Sequence, residues 1–420
     1  MRPPDDSGGG ISGLCLAVAL SRHSDIQVDI YEAAGRFAEI GAGVMIWSRT
    51  WRILELMGLA DDFSRVAHAP QDGSTGVGFD FRRSDMSSEG FRFYLFQLPH
   101  GCIRFHRAHF LDVFVDHLPD GVAKLNKRLS SYDASAGGLI TLRFADGTSE
   151  LCDLLVGCDG IKSTVRSCML HNLAASGRME MLECVEPVFS GTVAYRGLIP
   201  IRRLSEGTKV HRTVETPMMY CGKSKHVVSY SISQGTVVNV VALASDLARE
   251  GTVYDGPWVS PCSKEELLAC YVGWEPEVKE LLDRIETPTK WALHALKPLS
   301  TYVTSNVALV GDAAHAMLPH QGAGAGQAIE DAFVLASLLG DASTNTSTLA
   351  HALEIYESIR LPKAHHVLNG SRESAIMYEF NSSYGEHYET LGPAIKQQWG
   401  WLEDGSPEED VRSALDQLRQ

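Results

Sequence analysis

The sequence is poor in positive charge: 37 lysines and arginines stand against 52 aspartates and glutamates, a formal charge of −15. A polymer coated with phosphates would be repelled on average, which sets nucleic acid aside as a partner. No apolar run approaches the ~20 residues of a membrane span, and residues 1–10 carry no apolar stretch of a secretory leader. The nine cysteines form no CxxC pair, so neither a disulfide framework nor a zinc site is expected. These absences point to a cytoplasmic protein with no membrane, nucleic-acid or metal partner. Internal repeats and long low-complexity tracts are missing as well. What is present is ordinary globular material: 420 residues, 44% apolar and 21% charged, enough for two or three domains with a sizeable core.

Helical spacing of Leu14, Ala17 and Val18 predicts a helix over Ile11–Ser21, followed by an alternating strand from Ile26 to Tyr31 that ends at Glu32. Leu151–Val156 and Asn306–Val310 read as compact apolar strands, each turning at glycine. Between them Ser190–Pro200, His226–Ser233 and Thr236–Ala242 are β-rich with no helix between the last two, as in an antiparallel sheet. Gly251–Ser263 reads as a loop, Lys264–Ile285 as helical, and Leu349–His366 as a helix broken at Pro362. The expected class is α/β. Its first nucleotide-binding part spans 1–185, a β-sheet domain 186–285, the second nucleotide-binding part 286–362 and a helical tail 363–420.

Three constellations carry chemistry. Gly8, Gly10 and Gly13 form a GxGxxG before the first helix, with the acidic Glu32 nineteen residues further on. Glycines let a pyrophosphate approach a helix N-terminus, and an acidic strand end accepts hydrogen bonds from ribose. A buried strand should precede the first glycine, yet Met1–Ser7, with two prolines and two aspartates, cannot make one. Either the N-terminus is that of an incomplete or misread gene product, which is the favoured expectation, or the sheet tolerates a missing member. The second constellation is Gly157-Cys158-Asp159-Gly160, in which Asp159 could cap a helix, with Arg166 offering charge to a phosphate. The third is Gly311-Asp312-Ala313-Ala314-His315, then Pro319, Gly322, Gly324, Ala325 and a helix to Leu339. Asp312 suits a polyol hydroxyl, and the glycine run lets a flat ring lie on backbone.

With Gly41-Ala42-Gly43-Val44, His106-Arg107-Ala108, Tyr195-Arg196-Gly197, Trp274-Glu275-Pro276 and Tyr356-Glu357-Ser358-Ile359-Arg360, this set resembles the FAD-dependent aromatic hydroxylases. These are single-component flavoprotein monooxygenases, and the likeness is to their salicylate hydroxylase-like branch, from Gly8 to the tail. The resemblance implies a Rossmann-like FAD-binding domain, its first strand missing here, an inserted antiparallel substrate sheet and C-terminal helices. It implies FAD, with NAD(P)H and O2 as co-substrates, and oxygen transfer to an aromatic ring through a hydroperoxide at the flavin C4a. Gly8, Gly10 and Gly13 would hold the pyrophosphate, Glu32 the adenosine ribose, Arg107 the phosphate or ribityl region and Asp312 the ribityl chain. Gly43 and Ala325 would lie against the flavin. Asp159 and Gly160 would contact FAD and, transiently, NAD(P)H; Gly311, Pro319, Gly322 and Gly324 complete the cofactor set. The family has no second GxGxxG, and none is found. His109 departs from the usual Arg-Ala-Asp pattern.

The substrate candidates follow from strand periodicity. His226 and Tyr230 are four apart and project from one face of a sheet. Arg196, in the strand pattern beside theirs, could hold a carboxylate through a bidentate pair, and His320, beside the flavin loop, could act as a base. Each has a plainer reading: core packing for Tyr230, a solvated strand for His226, a structural ion pair for Arg196. His315 reads as structural. The expected activity is hydroxylation of a small phenolic acid, salicylate in particular, by a monomer or homodimer. The alternatives are a larger polyketide or terpenoid substrate, or an inactive flavin-free truncated product. A plain NAD-dependent dehydrogenase would leave Gly311-Asp312 and the glycine-rich loop unexplained.

Overall fold

The computed structural model describes residues 9–37, 43–68, 73–134, 138–205 and 210–420. The expected absence of a first strand, together with Gly8, Gly41 and Ala42, falls outside these residues. Two parallel pairs contribute to one hydrophobic core: β1 (Ile30–Glu32) beside β6 (Ala123–Leu125), and β10 (Leu155–Gly157) beside β18 (Val307–Leu309), which also pairs with β17 (Val303–Thr304). β2 (Gly43–Ile46) pairs with β5 (Ile103–His106), and β7 (Leu129–Ala134), β8 (Ile140–Phe144) and β9 (Ser149–Cys152) form a small antiparallel sheet. The large sheet has eight strands. Their order is β15 (Val259–Pro261), β16 (Thr289–Ala295), β11 (Val188–Pro200), β14 (Val237–Ser245), β13 (Lys225–Ile232), β12 (Met218–Gly222), β3 (Thr75–Arg83) and β4 (Phe91–Pro99). Only the β12–β3 pair is parallel.

Helices α1 (Ile11–Leu20), α2 (Ser48–Leu56), α3 (Ala60–Val66), α4 (Arg107–Asp116) and α5 (Thr164–Ala175) surround the parallel strands. α6 (Lys264–Cys270) and α7 (Pro276–Asp283) cover one face of the large sheet, where Leu267, Val278 and Leu281 meet Val227, Val238 and Val240. After the short α8 (Asp312–His315) come α9 (Gly324–Leu339) and α10 (Leu349–Tyr378), then α11 (Tyr388–Gln398) and α12 (Pro407–Leu418). α1 is buried on nearly every side against α9, so its apolar residues form no single stripe. All three residues of β18 are buried, as a central parallel strand requires.

Four local expectations change. Leu151–Val156 is two elements: the chain leaves β9 in the small sheet, turns, and enters β10. The loop at Gly251–Ser263 contains the edge strand β15. The large sheet recruits β3, β4 and β16 from outside 186–285, because strand periodicity does not encode which sheet a strand joins. Finally, α10 runs through Pro362 and across the boundary placed at 362/363. A mid-helix proline costs about 3 kcal/mol. Burial of Tyr356, Arg360, Ala364 and Val367 around it offsets that cost.

Arg360 ties this region together. Its Nε donates to Asp331 Oδ1 at 2.7 Å, Nη1 to Glu330 Oε2 at 2.8 Å and Nη2 to Gln327 Oε1 at 2.7 Å. Asp331 Oδ2 in turn accepts the Gly311 N–H at 2.9 Å and bonds His315 Nε2 at 2.5 Å. One buried network therefore fixes α10, α9 and the Gly311 turn relative to each other. Burial works to raise the Asp331 carboxyl, but His315 and Arg360 outweigh it and hold the group below its usual range. His315 is structural, as its sequence context suggests.

Candidate active site

A cavity of about 310 Å3 runs from the start of α1 to the face of the large sheet opposite α6 and α7. At one end the Gly9 N–H donates to Glu32 Oε2 at 2.9 Å, and the Ala34 N–H donates to Oε1 of the same carboxylate at 2.6 Å. A Cβ on Gly9 would come within 2.3 Å of the Phe37 ring, so this turn requires glycine. Gly10 caps α1 without a side-chain hydrogen bond, and Gly10, Ile11 and Ser12 line the cavity. α9 also begins without a side-chain cap, at Ala323, and its Gly324 and Ala325 line the cavity. Two uncapped helix starts thus open on one space, with Arg107 on its wall; that combination attracts anionic groups. Asp312 begins α8, is exposed, and has no hydrogen-bond or ion-pair partner among the described residues. Gly322 adopts a φ of +56°, and a Cβ there would lie 2.3 Å from Met45 Sδ.

The other end is built by register. Arg196 on β11 pairs with Val241 on β14, which pairs with Val228 on β13; Ala194, Leu243 and His226 form a second row. β14 therefore separates the strands of Arg196 and His226, which are not adjacent as the sequence suggests. Strand alternation points Arg196, His226 and Tyr230 into the cavity and sends Tyr195 to the opposite face, where its hydroxyl donates to Glu266 at 3.2 Å. The Arg196 guanidinium lies over the Trp291 ring at 4.9 Å. Tyr230 packs so closely on Gly43 that a Cβ there would be 2.7 Å from its hydroxyl, while the Gly43 N–H donates to Asn239 Oδ1 at 3.2 Å. Burial holds the Tyr230 hydroxyl protonated, well above its ordinary range. Burial, with the neighbouring His226, also drives the His320 imidazole well below its usual value, so it is neutral at physiological pH.

Gly10, Gly43, Arg107, Gly160, Asp312, Pro319, Gly322, Gly324, Ala325, Arg196, His226, Tyr230 and His320 all line this one cavity. Gly13, Glu32, Asp159 and Gly311 stand behind it. The Asp159 carboxylate accepts the N–H groups of Thr164 and Val165, at 2.7 and 3.1 Å, and the Ser163 hydroxyl; it secures the start of α5. Arg166 does not offer its charge to a phosphate, although its place beside the glycine motif suggests that it would. Its buried guanidinium donates instead to the carbonyls of Ala313, Ile161 and Val185. Sequence reasoning missed Trp291, which lines the cavity, and Glu379, whose Oε1 lies 2.9 Å from His226 Nδ1. Both come from elements that pattern alone does not bring to the site.

A dinucleotide with a polyol linker fits this donor set. The helix starts and Arg107 suit its phosphates, the unpartnered Asp312 carboxylate suits a ribityl hydroxyl, and the glycine-lined wall accepts a flat ring. Residues 275–371 match the FAD binding domain family. The chain belongs to the FAD-dependent monooxygenases of the salicylate hydroxylase-like branch. It is 40% identical over 419 residues to a salicylate hydroxylase of Pseudomonas putida, covering 98% of this chain and 94% of the relative. It is 36% identical over 385 residues to a 6-methylsalicylate 1-monooxygenase of Aspergillus terreus, covering 90% and 83%. A solved salicylate hydroxylase in complex with its substrate superimposes with a TM-score of 0.86 at 34% identity, over 97% of this chain and 96% of that one. No helix among the described residues is long and apolar enough to cross a membrane.

Proposed function

We propose that this monooxygenase hydroxylates a small aromatic acid with a phenolic hydroxyl beside its carboxylate, salicylate or a near analogue. The observation that carries this reading is that a guanidinium, Arg196, and a neutral imidazole, His320, share a cavity with the cofactor cradle. Gly10, Arg107, Asp312, Gly324 and Ala325 would hold FAD, whose bound form supplies the transfer of electrons from NAD(P)H to O2 and of one oxygen atom to the ring. Glu32 supports the adenosine end by shaping the glycine turn.

The chain's own residues then have three tasks. Arg196 pairs with the carboxylate and orients the ring. His320, neutral because it is buried, accepts the phenolic proton and so makes the ring a stronger nucleophile. Tyr230, kept protonated, donates a hydrogen bond to substrate oxygen, and Leu243, Val228 and Trp291 exclude water from the reacting end. The enzyme works in the cytoplasm, where NAD(P)H is at hand, as a monomer or homodimer. The test is NAD(P)H oxidation by the FAD-loaded protein with and without salicylate, with product analysis. Accelerated oxidation and a hydroxylated, decarboxylated product support the reading. Failure to hydroxylate any ortho-hydroxybenzoate overturns it.

A further inference from the structure

A chain of hydrogen bonds leaves the cavity along the same face of the large sheet. His320 lines the cavity, and its Nε2 is buried without a hydrogen-bond partner. Its Nδ1 lies 3.3 Å from His226 Nε2, and His226 Nδ1 lies 2.9 Å from Glu379 Oε1. The same carboxylate oxygen accepts the Ser245 hydroxyl at 2.8 Å, and Ser245 Oγ is 2.9 Å from Thr192 Oγ1. His226 and Glu379 are 0% and 1% exposed, whereas Ser245 is half-buried and reaches solvent.

The order of partners sets the polarity of the chain. A carboxylate only accepts, so His226 carries its proton on Nδ1 and presents a lone pair at Nε2. That lone pair takes the Nδ1–H of His320, which leaves the lone pair of His320 Nε2 in the cavity. Without a carboxylate at 379, both imidazoles could take the opposite tautomer and turn an N–H toward the substrate.

We propose that Glu379 is a positioning residue that orients His226 and His320 as a proton relay, carrying the phenolic proton of the aromatic acid from the cavity to solvent at Ser245. This rests on the reading that a phenolic acid sits against His320. In the step, the phenol O–H breaks and an Nε2–H forms on His320. The Nδ1 proton of His320 passes to His226 Nε2, and the Nδ1 proton of His226 passes to Glu379. Glu379 then releases a proton through Ser245, so one proton leaves and one phenolate remains. The titratable groups facing the chain from packed elements are Cys221 on β12, Tyr271, and Tyr378 on α10, all held neutral by burial. Lys223 directs its Nζ to the Phe380 carbonyl at 2.9 Å.

The test uses the FAD-loaded enzyme and salicylate, comparing wild type with Glu379→Gln and Glu379→Asp across pH. An orienting carboxylate beside a catalytic imidazole is worth orders of magnitude in turnover. In Glu379→Gln, kcat is expected to fall about tenfold or more near pH 7 while KM stays within about twofold. The loss should shrink as pH rises and the phenol ionises unaided, and Glu379→Asp should restore part of the rate. A kcat and pH profile like those of wild type overturn the relay. So does a loss that is equal at every pH, which would mark a purely structural role. Should Glu379→Gln hold no FAD, Ser245→Ala decides: a several-fold fall in kcat confined to the acidic side supports the exit, and an unchanged profile overturns it. Wild-type protein that hydroxylates no ortho-hydroxybenzoate would instead count against the substrate reading, which this comparison keeps separate.

Discussion

Arg360→Met removes the cation that joins α10 to α9. The side chain is fully buried and serves Asp331, Glu330 and Gln327 at once. Breaking a buried pair by removing one partner costs about 3–5 kcal/mol, because a charge is left without compensation. Two neighbours soften the loss: Asp331 keeps His315 at 2.5 Å, and Glu330 keeps Arg49 Nε at 3.2 Å. The lower end, about 3 kcal/mol, is therefore expected, more than a hundredfold in the folded-to-unfolded ratio. Because Asp331 also holds the Gly311 N–H, the turn that presents Asp312 should loosen, and FAD should dissociate more readily. The assay is urea unfolding followed by tryptophan fluorescence, with released FAD read in parallel. Arg360→Lys should recover only part of the loss, since an ammonium cannot serve three partners set out as a planar fork. An Arg360→Met protein with wild-type midpoint and FAD retention would refute this account of the network.

Three other outcomes follow from the site. Arg196→Ala should raise KM for the aromatic acid ~10- to 100-fold, the worth of hydrogen bonds to a charged group, with FAD affinity unchanged; steady-state kinetics and a cofactor titration check both. Asp312→Ala should weaken FAD by a similar ~10- to 100-fold without lowering the melting temperature of the apoprotein, because the side chain is exposed; flavin fluorescence reads the first and a thermal melt the second. Stability should decline as pH falls below 6.5. Burial, with Arg104 nearby, pushes His68 down from 6.5 to about 4, and burial, with His226 nearby, also holds His320 well below its usual value. The unfolded chain therefore binds more protons in this window, and stability rises with pH across it. Denaturant midpoints that stay flat between pH 6.5 and 4 would contradict this.

Much of the glycine-lined end of the cavity, the proposed cofactor cradle, was legible because its pattern is local. A glycine turn, the helix after it and an acidic strand end are contiguous enough for spacing to reveal them, and Asp312 sits beside its own glycine. His226 and Tyr230 were legible for a similar reason, since strand alternation puts residues four apart on one face. What was hidden depends on non-local assembly. β3 and β4 join a sheet whose other members begin only at Val188, with several elements of the other sheets in between. Glu379 reaches His226 only because α10 continues through Pro362, where the sequence suggests a break. Arg166 was misread because a cation near a glycine motif looks available until the carbonyls that surround it are seen.

The central claim is that one cavity joins an FAD cradle to a chamber for an ortho-hydroxylated aromatic acid. The most direct measurement is the stoichiometry of a single reaction mixture: NAD(P)H consumed, O2 consumed and hydroxylated product formed, with salicylate present. Equal amounts of all three are expected. Consumption of NAD(P)H and O2 with hydrogen peroxide as the only product, for every ortho-hydroxybenzoate offered, would contradict the claim.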